Sequence, residues 1–500
     1  MNTTDTDPGS LQALKARYGP RYRWLLLMSV MVGTMAAIMS STIVNVAIPD
    51  MSHHFGLGQE RAQWVTSGFM AAMVASMLTT PWMLARFGFR KTYAICMGLL
   101  LAGGMVGGMA NHFALVLAAR VVEGLAAGVV QPIPAIIILR AFDSNEQGRA
   151  SGIFGMGVVL APALGPSLGG LLVDAFGWRS IFFMVVPLCL ASLWLGRLFV
   201  PVTAPGGVAA RRDVSIDWIG LLLASVGTVC LLNGLVQWQG GTVALAATLL
   251  TGFVLCLAAF IAWQHRLRHG RSRNKVEPLM NLSLFQHRPF AMGSLVAFIY
   301  GTALFGSTYL IPVYLQMGLG LSASYVGALL LPAGLVLAAT IAIVGKLADR
   351  HPAHWLVSIG LLLLALSFAL VVLLDRSTPL AWLVALTILG RIGLGFVLPS
   401  LNLGSMRGVA RDHIAQGASA INFLRMLGGA AGVSLCGMVL EWRLATHGVS
   451  LSNTAGAEAR LAAFNETFIM LGAICALALW AAWYLRPRVA TSREEPHHPS

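Results

Sequence analysis

The chain has 500 residues, of which 57% are apolar and only 10% charged, with a formal net charge of +14. Soluble proteins carry about 25% charged residues, so this composition excludes a string of soluble domains. Apolar runs of about 20 residues recur along the whole length and imply an all-α polytopic membrane protein. The positive balance does not imply nucleic acid, because the basic residues sit in short loops, where positive charge marks topology.

The first 23 residues are polar and no small-residue cleavage site follows them, so they read as a tail rather than a cleaved signal. Fourteen spans are expected, at 24–48, 62–84, 92–110, 114–139, 150–173, 180–200, 216–237, 242–263, 290–315, 324–347, 354–374, 379–402, 416–440 and 464–485. An even number puts both ends on one side. Of the 33 lysines and arginines, 25 then fall in segments expected to be cytoplasmic, five in external ones and three inside spans. That split predicts cytoplasmic N- and C-termini in a multi-pass bacterial plasma or inner membrane. The expected units are an N-tail (1–23), a six-helix bundle (24–200), a linker with two inserted helices (201–289), a second six-helix bundle (290–485) and a C-tail (486–500).

Span 1 contributes Met35, Met39, Ser40 and Asn45, and span 2 contributes Met70, Met73 and Met77. Flexible thioethers suit a wall that repacks around different ligands, although ordinary packing uses them too. Span 2 runs into Arg86, Gly88, Arg90 and Lys91, whose cations suit a helix C-terminus. Span 4 holds the most unusual stretch, with Arg120 and Glu123 three residues apart on one helical face, followed by Gln131. Each charge at a span centre costs roughly 2.5–3.5 kcal/mol on insertion scales, so the pair needs a partner or a polar cavity. Glu123 is the one acid well inside a span, against the three bases Arg120, Arg391 and Arg425.

Span 5 carries Gly165, Pro166, Gly169 and Gly170, which remove bulk where helices approach and bend. In span 9, Phe305 and Tyr309 are aromatic wall candidates; Arg391, Asn402, Asn422 and Arg425 are polar substrate candidates in spans 12 and 13. Interior prolines fall in spans 4, 5, 9, 10 and 12, which is where broken helices would line a path. The six cysteines lie in apolar segments without metal spacing, and the twelve histidines lie in loops, span ends or tails. No metal or other cofactor is therefore expected.

The chain repeats. The segment Pro81–Lys91 after span 2 corresponds to Gly345-Lys346-Leu347-Ala348-Asp349-Arg350 after span 10, and Arg120 corresponds to Arg391. Spans 1–6 and 9–14 thus read as parallel halves, with spans 7 and 8 inserted between them.

Several of these motifs jointly resemble the major facilitator superfamily, and within it the fourteen-helix drug:proton antiporters of EmrB/QacA type. They are Ser41–Pro49 in span 1, residues 81–91, residues 120–132, Gly165–Gly170, and Gln416–Ala420 with Asn422, Arg425, Gly428 and Gly429. The resemblance implies two six-helix bundles plus two inserted helices, alternating access, and a gating role for the loop residues, Gly345, Asp349 and Arg350, and for the span-5 motif. It also implies small-molecule substrates, protons and the lipid bilayer as partners. EmrB-like members imply a periplasmic adaptor and outer-membrane channel, whereas QacA-like members act alone. The chain departs from the pattern at Ser40, where the family usually has an aspartate, at Glu123, where it has glutamine, and at Ala85, where it has an acid. The first two changes suggest that the proton-coupling carboxylate has moved between neighbouring helices, to Glu123 beside Arg120. A static pair that only stabilises span 4 is the competing reading. The expected function is proton-coupled export of hydrophobic or amphipathic compounds, with a narrow exporter of one metabolite, antibiotic, siderophore or lipid as the alternative. No Gly-x-x-x-x-Gly-Lys-Ser/Thr motif supports an ATP-driven pump, and no cluster in the spans supports an enzyme.

Overall fold

The computed structural model describes residues 9–203, 214–239, 242–269, 276–373, 378–449 and 457–486. Its first half contains α1 (Leu11–Tyr18), α2 (Tyr22–Phe55), α3 (Gln59–Ala62), α4 (Trp64–Met77), α5 (Thr80–Phe87), α6 (Phe89–Met109), α7 (Phe113–Val130), α8 (Ile133–Ala141), α9 (Gln147–Phe176) and α10 (Ser180–Phe199). Next come α11 (Trp218–Gln239) and α12 (Val243–His269). The second half contains α13 (Arg288–Val313), α14 (Ala323–Ala348), α15 (Ala353–Val371), α16 (Leu380–Ser405), α17 (Ile414–Thr446) and α18 (Ala457–Trp483).

Twelve helical segments among the described residues are long and apolar enough to cross a membrane, and the bent pair α4–α5 makes a thirteenth. The expected fifth span, α9, is not among them, although it is a 30-residue helix packed between α2 and α14. The multi-span all-helical fold stands, while the count of fourteen does not follow from length and apolarity alone.

Proline explains part of the departure from straight spans. Span 2 is not one helix: α4 and α5 meet at 60°, with Pro81 in the first turn of α5. Pro132 separates α7 from α8, as its missing N–H and ring clash require. Pro332 and Pro399 lie inside unbroken helices, and Pro312 lies in α13 just before a π-helical turn at Tyr314–Gly318. Interior prolines therefore mark a true break in span 4 alone of the five spans so identified. At the far end, α17 and α18 extend beyond the expected limits, and Arg443 and Glu466 pair across them.

In the first half, α2 packs on α7, α9 and α10, while α7 packs on α4 and α6. In the second, α13 packs on α17, α16 and α18, while α15 and α14 both pack on α16. The pair α11–α12 is tied at its base by Asp217. This carboxylate accepts hydrogen bonds from Gly220 N at 2.8 Å, Trp263 Nε1 at 2.8 Å and Gln264 Nε2 at 2.6 Å. From there α11 leans on α4 and α17, one helix of each half.

The most intimate contact between halves is the α9–α14 crossing. Gly148 and Gly152 of α9 face Gly345 of α14 with their backbones in contact; a Cβ on Gly152 would lie 2.8 Å from Gly345 Cα and 2.9 Å from Ile341 O. Backbone cannot yield as a side-chain tip does, so this approach demands glycine. Gly152→Leu should therefore lower the melting temperature of the detergent-purified protein by several degrees, as overpacking costs about 1–3 kcal/mol. An unchanged melting temperature would show that the crossing is not tight.

Candidate functional site

The site begins on α7. Arg120 and Glu123 lie one turn apart and are 1% and 0% exposed. Arg120 Nη1 donates to Glu123 Oε2 at 2.6 Å and to Ser40 Oγ of α2 at 2.7 Å. Ser40 Oγ also meets Glu123 Oε2 at 3.1 Å. Arg120 Nε donates to Val65 O of α4 at 3.4 Å, and its guanidinium carbon stands 4.2 Å from the centre of the Phe69 ring. Serine and glutamate, the departures from the family pattern in spans 1 and 4, thus share one arginine.

The surrounding helices are shaped to admit this cluster. On α6, a Cβ at Gly103 would collide with the Glu123 side chain, and one at Gly104 would lie 3.5 Å from Glu123 Oε1. On α7, Gly124 and Gly128 let the backbone of α4 close in at Phe69 and Met73. Gly103, Gly104 and Phe69 were not singled out in the sequence; the Gly103-Gly104 and Gly107-Gly108 pairs in span 3 were the available signal. Two buried polar atoms of the cluster, Arg120 Nη2 and Glu123 Oε1, have no hydrogen-bond partner.

Glu123 is enclosed by α2, α4, α6 and α7 and lines none of the three cavities described next.

Gln131, Asn402, Asn422 and Arg425 come together in a narrow cavity between the halves, with Ser151 and Phe154 of α9. Its volume of about 40 Å³ leaves room for water but not for a drug-sized solute. Arg425 Nη2 donates to Asn422 Oδ1 at 2.7 Å, and Asn422 Nδ2 donates to Ala418 O at 2.8 Å. Close packing of α17 on α13 sets this geometry: Thr302 Oγ1 donates to Gly428 O at 2.9 Å. Arg391 lines a separate small cavity of about 10 Å³ inside the second half and reaches Thr308 Oγ1 at 3.5 Å from both terminal nitrogens. A larger apolar cavity of about 560 Å³ lies between α11–α12 and the helices α13 and α17.

The remaining substrate candidates are not gathered there. Met39, Met73 and Met77 are buried in packing, and Met70 and Tyr309 pack against the apolar core. Met35 lies against Gly157 of α9, and Phe305 lies on Gly429 of α17. Asn45 is exposed and accepts a 2.8 Å hydrogen bond from Thr66 Oγ1.

Of the gating candidates, one crosses between halves. Asp349, just beyond α14, accepts from the backbone N–H groups of Gly148 (Oδ1, 2.6 Å) and Arg149 (Oδ2, 2.9 Å) in the first turn of α9. This is a carboxylate on a helix N-terminus, where exposed donors and the helix dipole favour negative charge. Gly345 supplies the close crossing beneath it. Arg90 instead holds its own half together, donating from Nε to Val200 O at 2.7 Å beyond the end of α10. Gly88 takes φ +78° in the turn from α5 to α6, which favours glycine. Arg86 is partly buried; Lys91 and Arg350 are exposed. Gly165, Gly169 and Gly170 face Thr42, Ile43 and Val46 of α2, so the span-5 motif packs within one half. The side chain of Pro166 lies outside the described residues.

Burial pushes the Asp349 carboxyl above its ordinary value, against the lowering effect of its two backbone hydrogen bonds; nearby Glu146 adds to the rise and Arg149 opposes it. The carboxylate therefore gains its proton, and loses its charged hold on α9, at a higher pH than a free aspartate would. In Asp349→Asn, maleimide labelling of Ser151→Cys, buried beneath the latch, should proceed several-fold faster than in the parent, over the native-cysteine background. The parent's rate, taken as a fraction of the Asp349→Asn rate at the same pH so that the falling thiolate fraction cancels, should also rise on acidification. Equal rates in both proteins would remove Asp349 from the latch.

Comparison with known proteins places this geometry. The profile of the Major Facilitator Superfamily matches residues 30–238 and 215–433. The chain is 30% identical to the "Multidrug resistance protein B homolog" of Mycobacterium tuberculosis (strain ATCC 25618 / H37Rv) across 88% of its own length and 80% of that protein. It is 27% identical to the "Multidrug export protein EmrB" of Haemophilus influenzae across 86% and 82% of the two chains. It is also 23% identical to the "Riboflavin transporter RibZ" of Clostridioides difficile across 92% and 96%.

Proposed function

We propose that this chain, which belongs to the major facilitator superfamily and within it to the EmrB-type drug transporters, is a proton-coupled exporter of hydrophobic or amphipathic compounds. It moves them between alternately accessible states without covalent chemistry. One observation carries the reading: the Glu123 carboxylate is sealed at 0% exposure, shares Arg120 with Ser40, and has one oxygen, Oε1, without a partner. A purely structural buried ion pair gains by satisfying every polar atom, because each orphan costs about 1–3 kcal/mol. A carboxylate oxygen with no donor against it can take up a proton without displacing a hydrogen bond.

In the proposed cycle Glu123 is the proton carrier and Arg120 its counter-charge. Opening the first half to one side of the membrane hydrates Oε1, and the proton enters there. Protonation removes the charge that holds the guanidinium, which then leans on Ser40 Oγ and the Phe69 face. Substrate binds between the halves near Gln131, Asn402, Asn422 and Arg425. The cytoplasmic ends close through Asp349 and the α9–α14 crossing, with both termini inside. Homology to a riboflavin transporter keeps the narrow-specificity reading alive beside the multidrug one, since its overall similarity is of the same order. A periplasmic adaptor and outer-membrane channel belong to the EmrB-like version of this proposal.

The test is Glu123→Gln in inside-out vesicles at matched protein level. Proton-driven dye uptake should fall at least tenfold, while counterflow exchange without a gradient persists. Retained gradient-driven uptake would leave Arg120–Glu123 as a structural pair.

A further inference from the structure

The two halves repeat an arginine–hydroxyl contact but not its acid. In the first half Arg120 meets Ser40 Oγ, and Glu123 supplies the counter-charge. In the second, Arg391 meets Thr308 Oγ1, and the residue one turn after the arginine is Leu394, buried and apolar. Arg425 on α17 is held by the neutral amide of Asn422. The fully buried Tyr300 lies within electrostatic reach of both guanidinia. Among the described residues, no carboxylate is paired with or electrostatically coupled to either arginine.

Two half-buried guanidinium groups inside spans, without a counter-charge, are unfavourable in a membrane protein. Asn422 engages one terminal nitrogen of Arg425, and the remaining donors are not among the fully buried unpartnered atoms. Arg425 lines the cavity shared with Gln131 and Asn402. A planar fork of donors in a neutral, amide-lined cavity matches a carboxylate, sulfonate or phosphate oxygen pair.

We propose that the cavity between the halves selects amphipathic anions, with Arg425 as the direct contact for the acidic group and Arg391 as a supporting positive charge. This rests on the exporter reading above and adds the substrate's charge to it. Opening of the cavity precedes binding, because its present volume admits water only. The acidic group could belong to a free solute or to a lipid headgroup, and the two sources are separated by the bilayer used.

The experiment has two independent arms, each with the full chain in phosphatidylcholine, which carries no anionic headgroup. In nanodiscs, equilibrium binding is measured for 8-anilinonaphthalene-1-sulfonate, for its uncharged sulfonamide, and for the cation ethidium. In proteoliposomes, gradient-driven uptake of the same three probes is measured. The sulfonate should bind at least tenfold more tightly than the sulfonamide or ethidium. Arg425→Gln should erase that preference, Arg425→Lys should restore part of it, and Arg391→Gln should weaken it several-fold. The sulfonamide affinity should stay within twofold in every variant, which also shows that the variants are folded. Adding phosphatidylglycerol should leave sulfonate binding unchanged if the site takes free solutes, and should inhibit it competitively if headgroups occupy it. Charge-selective binding without gradient-driven uptake keeps the anion site and overturns the exporter reading. Uptake without charge selectivity keeps the exporter and overturns the anion site. Equal binding of all three probes, or none, also overturns the anion site.

Discussion

A guanidinium and a carboxylate 2.6 Å apart, both out of reach of solvent, set the terms on which the first bundle is built. Such a pair is not cheap adhesion: taking each ion out of water costs several kcal/mol, and the mutual attraction repays this only with good geometry. The geometry here is bought from four helices. Ser40 comes from α2, the Val65 carbonyl and the Phe69 face from α4, the glycine floor from α6, and the ions themselves from α7. Truncating one ion would strand the other at a cost of about 3–5 kcal/mol, so these helices hold their relative positions as long as both charges persist. Neutralising the carboxyl with a proton removes one charge without removing any atom, and that distinguishes a switch from a rivet.

The second half is constructed on the same plan with the charges distributed differently. The repeat brings Arg391 to a threonine hydroxyl as it brings Arg120 to a serine, yet Leu394 closes off the possibility of an internal counter-ion. The loop motif is asymmetric in the opposite sense: Ala85 lacks the acid, and Asp349 keeps it. One half thus carries the intramembrane acid and the other carries the acid that caps a helix across the divide. Gly148 and Arg149 receive that cap at the first turn of α9, which itself packs on α2 beside Ser40's turn. Duplicated halves have divided the work.

What could be read from the chain follows what each signal physically reports. Apolar run length reports burial in lipid, and the multi-span helical fold follows from it. Charge in an apolar run reports an obligation to find a partner, and so Arg120 and Glu123 stood out. The partner's identity was harder, since Ser40 is 83 residues away in the chain and contact across helices leaves no local pattern. Methionines at helical spacing were ambiguous because packing and ligand walls use the same residues; Met39, Met73 and Met77 turned out to be packing. Prolines overstated helix breaks, since a neighbouring helix can satisfy the carbonyl that a ring frees. The glycines that matter most for the inter-half crossing, Gly148 and Gly152, form a small-x-x-x-small pair at the very start of a span. There, loop and helix readings of glycine compete.

The proposed coupling has a direct mechanical route along one span. Glu123 sits on α7, and eight residues later Gln131 lies at the joint where Pro132 interrupts the helix. From that joint α8 runs on with Ala135, Ile138 and Leu139 against the inter-half cavity. A joint lacking one backbone hydrogen bond bends more readily than continuous helix. In the proposed cycle, movement of α7 on neutralisation of the ion pair would change the angle of α8 first. The cavity that α8 lines is also lined by Asn402, Asn422 and Arg425 from the other half, so the same bend alters the space between halves. Coupling of this kind requires an element with two arrangements biased from both ends; in the proposed cycle the interrupted fourth span would be that element, with Glu123 on one side of the joint and the cavity lined by Arg425 on the other.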